Sequence, residues 1–203
     1  MCFNLKISIT AYIFGLINCI ILFKRGYKIE ALYYGLIIQM QFIEFLLWTF
    51  NKCNKINKII TQLGIFLNHL QPYILYYLII KYNNDIIHPY IHYMMLYFFI
   101  INISYILLNI KTLNTCTIGI PNKKELQWKI HYGKNNEFYI LFVIVLAILF
   151  INGLKKYNYL NAFIIIITYI ISYLKYKKTK GVGSIWCLIA AYIPFILNII
   201  YEF

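Results

Sequence analysis

Apolar residues run in long blocks along this chain, and polar residues gather between the blocks. A run of about 17–25 mostly apolar residues without charge has the length a helix needs to cross the hydrocarbon of a bilayer. Seven such runs are present, at 5–23, 31–50, 59–80, 89–110, 138–154, 157–174 and 183–201. Pro89 opens the fourth, where a missing N–H costs a helix nothing. The fifth and sixth are short and almost directly joined, which predicts a tight helical hairpin. The first run is too long for a secretory leader and ends on Lys24 and Arg25 rather than at a small-residue cleavage site. The predicted fold class is all-α: a polytopic bundle of seven transmembrane helices, with residues 1–203 forming a single domain.

One connection, 111–137, is long. In it Leu126, Trp128, Ile130 and Tyr132 alternate with Gln127, Lys129 and His131, the period of a strand. Cys116–Ile120 is a second short β-prone stretch upstream. Together they predict a small amphipathic β-hairpin between helices four and five, lying on the membrane surface.

Composition narrows the class. The chain is 62% hydrophobic and 12% charged, where a soluble domain is roughly 45–50% apolar and about 25% charged. That excludes a soluble fold, and a chain this apolar does not stay disordered. The chain holds 44 Ile against 3 Val, a bias that follows AT-rich codons. The apolar residues therefore say little individually, and polar residues that persist inside apolar runs say more.

Charge gives an orientation. Thirteen of the nineteen Lys and Arg fall on the face that carries the N-terminus. The positive-inside rule then predicts a cytoplasmic N-terminus, with Cys53 and Cys116 as reduced thiols in loops on that face. The net charge of +13 calls for no nucleic acid. Lysines beside the membrane meet anionic lipid headgroups, at about 1 kcal/mol each.

Candidate chemistry lies inside the runs. A charge at the bilayer centre costs roughly 2.5–3.5 kcal/mol, so it needs a partner or a purpose. Glu44 is the one carboxylate deep within a run. Gln41, Glu44 and Trp48 share a helical face. The third run carries Asn68, His69 and Gln71, with Thr61 and Gly64 on the same stripe as Asn68 and Gln71. Folding the two runs back on each other across their short loop brings Glu44 within side-chain reach of Asn68 or His69, an axial offset of roughly 6 Å. Ser8, Ala11, Gly15 and Asn18 of the first run, and Ser184, Cys187, Ala191, Pro194 and Asn198 of the seventh, are stripes of small and polar residues that suit close helix packing. The candidate substrate- or ion-binding set is Glu44, Gln41, Asn68, His69, Gln71 and Asn198.

Several chemistries fail on spacing. Asp85, His88 and His92 share a helical face as a metal half-site would, but His69 lies roughly 13 Å deeper and His131 falls on the opposite side. No metal or other cofactor is expected. No lysine lies within a run away from its ends, as a retinal Schiff base would need. Nucleotide-binding and nucleophile motifs are missing too.

Pro-aromatic-Ile-Leu recurs at Pro72–Leu75 and Pro194–Leu197. If the third and seventh runs correspond, the plan is three helices, a linker and three helices, as in the parallel repeats of sugar-transporting SWEET proteins. The segments Gln41-x2-Glu44-x3-Trp48, His69-Leu70-Gln71-Pro72 and Gly183–Cys187 resemble uncharacterised seven-helix membrane proteins of large DNA viruses of protists. That resemblance implies the helix count and no activity.

The leading expectation is a small-solute or ion transporter or channel whose partners are membrane lipids and the solute, with Glu44 carrying a proton or cation. A receptor-like or interaction protein is the first alternative. A membrane-embedded lipid enzyme using His69 and Glu44 is the second, and it lacks a nucleophile or metal.

Overall fold

The computed structural model of this chain describes residues 4–83, 87–109, 115–119, 126–128, 136–154, 156–176 and 182–202. Among them are seven α-helices: α1 (Leu5–Lys24), α2 (Lys28–Thr49), α3 (Lys55–Tyr82), α4 (Pro89–Leu108), α5 (Asn136–Gly153), α6 (Asn158–Tyr176) and α7 (Val182–Ile200). Their ends lie within a few residues of the predicted runs. Asn4 and Asn54 cap α1 and α3 by accepting from the backbone N–H three residues on, and His88 caps α4 ahead of Pro89. Four helices, α1 to α4, are long and apolar enough to cross a membrane, and the other three are shorter apolar helices over their described residues.

Six helices close a ring. α1 packs on α2, α2 on α3, α3 on α5, α5 on α6, α6 on α7 and α7 back on α1; α2 also reaches α7. α4 stands outside, against α5, and is tied to α3 by hydrogen bonds. Where apolar side chains face hydrocarbon on one side and each other on the other, burial alone drives little, and close approach through small residues decides packing. The α1–α7 seam works this way. Ser8, Ala11, Gly15 and Asn18 are all buried on one face of α1. A Cβ on Gly15 would lie 2.7 Å from the carbonyl oxygen of Ala191, and the Asn198 amide donates to the carbonyl and side-chain oxygens of Asn18 at 3.0 and 3.2 Å.

The exterior is apolar. Phe66, Leu96, Tyr97, Phe163 and Leu174 are more than half exposed, while Gln41, Glu44, Asn57, Asn161 and Ser172 are fully buried. This inverts the distribution of a protein dissolved in water.

The long connection forms a two-residue antiparallel pair. β1 (Ile118–Gly119) meets β2 (Leu126–Gln127) with Ile118 opposite Gln127 and Gly119 opposite Leu126. Leu126 and Trp128 are buried, as the alternation predicts. Ile130, Tyr132, Lys129 and His131 lie outside the described residues, as does Asp85. The pair does not lie flat on the bundle. Trp128 enters it between α2 and α3, so that a Cβ on Gly64 would stand 2.6 Å from the indole and 2.9 Å from Ile43.

Polar side chains fasten this plug. The Asn57 amide donates to the Thr117 carbonyl at 2.9 Å and its oxygen accepts from the Thr117 N–H at 3.1 Å, and Asn51 accepts from the Gly119 N–H at 2.7 Å. This anchoring brings the Cα atoms of Cys53 and Cys116 to 5.4 Å, and the two form a disulfide. They are therefore not the free thiols expected from the loop positions. The bond closes a loop 63 residues apart in sequence, worth about 4 kcal/mol in the chain-entropy account. Denatured protein labelled with a thiol-reactive polymer should gain two adducts when it is first reduced. Cys53→Ser should remove that gain and lower the melting temperature.

Candidate functional site

The predicted polar residues fall into three groups. The first is on α2, one to two turns from the hairpin end. Gln41 and Glu44 are both fully buried, and the Gln41 amide donates to Glu44 Oε2 at 3.3 Å.

The second is on α3. Its inward face runs Asn57, Thr61, Gly64, Asn68 and Gln71, the helical stripe read from the sequence. The Gln71 amide donates to Asn68 Oδ1 at 3.2 Å. His69 turns toward α4, where its Nδ1 lies 2.6 Å from Asn102 Oδ1. The Asn102 amide donates to Tyr73 Oη at 3.0 Å and lies 3.4 Å from the His69 carbonyl. Those two donations mark the facing Asn102 atom as the oxygen, an acceptor, so the proton of a neutral His69 sits on Nδ1. His69 Nε2 is left as a lone pair. It is buried and has no hydrogen-bond partner among the described residues. The ring lies among Tyr105, Phe138 and Tyr139, with centroids 5.5–6.4 Å away.

Beside His69 is a cavity of about 10 Å³, lined by Met40, Gly64, Ile65, Asn68, Trp128 and Tyr139 as well. That is room for about one water. Trp128 closes it on the hairpin side. α2, α3, α5 and the plug therefore converge on one small chamber with Asn68 and His69 in its wall.

The third group is elsewhere. Asn198 belongs to the α1–α7 seam through Asn18, and its carbonyl accepts from Arg25 at 2.7 Å. It is eleven residues beyond Cys187, roughly 16 Å along α7. Its role in this structure is to join helices.

Three residues that matter here were not singled out in the sequence. Asn102 has the helical neighbourhood of an ordinary interface amide, and only the placement of α4 against α3 shows its role. Asn57 sits among lysines at a loop edge. Glu30 lies one residue before the second apolar run, yet it is 5% exposed. Among the described residues no group of three or more His, Cys, Asp and Glu could hold a metal ion. His88 caps its own helix, and His92 bonds to Tyr76.

No family matches this chain, no curated protein is similar to it, and no solved structure shares its fold closely enough to match.

Proposed function

We propose that this chain is an integral membrane protein with seven spans that moves a small solute or ion through the chamber beside His69. The observation that carries this reading is the His69–Asn102 pair. It holds the imidazole in one tautomer and turns a bare ring nitrogen into a buried region walled by Asn68, with the Gln41–Glu44 pair on the neighbouring helix. Helix packing needs amides at seams, as Asn18 and Asn198 supply. It does not need an unpartnered imidazole nitrogen, which costs free energy to bury. The water-sized chamber corresponds to a closed state, with Trp128 as the plug. The closed ring α1-α2-α3-α5-α6-α7, with α4 outside, supports the plan of two three-helix units and a linker. Shifting each helix number by four carries the sequential contacts of the ring onto one another.

Two observations bear on orientation and pull apart. The lysine count favours a cytoplasmic N-terminal face. The Cys53–Cys116 bond favours an oxidising compartment for that same face. The covalent bond weighs more, because a two-to-one lysine bias is a modest form of the positive-inside signal.

The test is ion flux in proteoliposomes loaded with a pH-sensitive dye, under a potassium diffusion potential. Wild-type protein should admit protons, or sodium ions when a sodium dye is used. His69→Gln, which keeps a donor toward Asn102, should be folded and at least about a hundredfold slower, the lower end of what one general acid–base group contributes. Vesicles as tight to protons and sodium as protein-free liposomes would sink the proposal.

A further inference from the structure

The face opposite the hairpin has a cavity of its own. It measures about 400 Å³ and forms where the start of α2, the end of α3 and the α5–α6 connection meet. This is within the range of small-ligand sites. Its charges are ordered. Glu30 is nearly buried and accepts from Tyr201 Oη at 3.4 Å. Tyr201 accepts from the Asn161 amide at 2.7 Å, and Asn161 Oδ1 accepts from Tyr34 at 3.2 Å. The carboxylate is thus held in place from behind by a buried relay. Among the described residues it has no ion pair with a lysine or arginine, the salt bridge there being Arg25–Glu202. Lys28 and Lys156 line the same cavity and are exposed. Their ammonium groups rest over the rings of Tyr82 and Tyr157, with centroids at 5.9 and 4.6 Å.

A negative floor under a positive rim complements a zwitterion whose cation enters first. All of these groups sit at helix ends, the depth at which lipid headgroups lie if the helices span a bilayer. We propose that this cavity binds the headgroup of phosphatidylethanolamine, with the ammonium donating to Glu30 and the phosphate between Lys28 and Lys156. A primary ammonium carries N–H donors that a carboxylate can accept, whereas a quaternary choline carries none. A purely anionic headgroup would satisfy the lysines and leave Glu30 facing negative charge. This inference rests on the membrane reading and is independent of transport, so failure of the flux assay leaves it standing.

Native mass spectrometry of the purified protein, offered equimolar phosphatidylethanolamine, phosphatidylcholine and phosphatidylglycerol, is the test. Phosphatidylethanolamine should be retained about tenfold over phosphatidylcholine, the size of one charge-assisted hydrogen bond. Glu30→Gln keeps an acceptor for Tyr201 and should bring the two to parity. Lys28→Ala with Lys156→Ala, both on the exposed rim, should weaken both lipids together and preserve their ratio. Soluble glycerophosphoethanolamine should compete poorly. Displacement by it at stoichiometric concentration would assign the site to a free phosphoester and overturn the lipid. Equal retention of all three lipids, preference for phosphatidylglycerol, or an unchanged preference in Glu30→Gln would also overturn the proposal.

Discussion

Glu44→Lys is expected to leave no assembled bundle, while Glu44→Gln is expected to be recovered folded at wild-type yield. The side chain at this position is fully buried and accepts from the Gln41 amide. A glutamine has nearly the same volume, still accepts from Gln41, and matches a neutral carboxylic acid in polarity. A lysine replaces that acceptor with an ammonium in a fully buried position. Removing one partner of a buried charge pair costs about 3–5 kcal/mol, and an unpaired ammonium among apolar helices belongs in that range. Size-exclusion chromatography in detergent separates the outcomes. The Gln variant then decides what the residue does. Normal ion flux in a folded Glu44→Gln protein would make Glu44 a brace between helices. Loss of flux with unchanged melting would make it the ion carrier. A folded Glu44→Lys protein with wild-type melting would show that this part of the interior is open to water.

Gly64→Leu should expel the plug. Even a Cβ at this position would stand 2.6 Å from the Trp128 ring and 2.9 Å from Ile43, and both neighbours belong to packed segments. Inserting side-chain volume into a filled site costs typically 1–3 kcal/mol, and an indole displaced from burial loses more. In a background with Trp48 and Trp186 replaced by phenylalanine, Trp128 fluorescence in wild type should resist quenching by acrylamide. In Gly64→Leu it should be quenched several-fold more strongly, since the ring changes from buried to accessible. Unchanged shielding would mean that the backbone shifts to keep the indole in place.

Much of the helical framework was legible because lipid-length apolar runs and their lysine or asparagine borders are local signals. The burial of Leu126 and Trp128 was legible from alternation, and the rest of that predicted hairpin lies outside the described residues. The inward stripe of α3 was legible too, since Thr61, Gly64, Asn68 and Gln71 recur at helical spacing. What escaped depends on which helix stands beside which. Reflecting α2 onto α3 brought Glu44 near His69 on paper, but the reflection contained no α4, and His69 found its partner there in Asn102. Glu30 escaped because a carboxylate bordering an apolar run reads as the water side of a helix. Its burial comes from Tyr201 and Asn161, which are more than a hundred residues away in sequence. The disulfide escaped because Cys53 and Cys116 have no motif spacing. They meet where Asn57 and Asn51 hold the connection against the mouth of the bundle.

The two seams of the ring that no short loop bridges, α1 with α7 and α3 with α5, are fastened very differently. Near the second runs a covalent link, between the loop that precedes α3 and the connection that precedes α5. The first carries, at the other end of the helices, the contact of Arg25 with Glu202, an exposed ion pair of a kind worth about 0–1 kcal/mol. Parting the halves at the disulfide end demands breaking a covalent bond, whereas parting them at the arginine end demands breaking the Asn18–Asn198 and Arg25–Asn198 hydrogen bonds and the ion pair. The ring is therefore mechanically lopsided, closed near one seam by sulfur and at the other by reversible polar contacts.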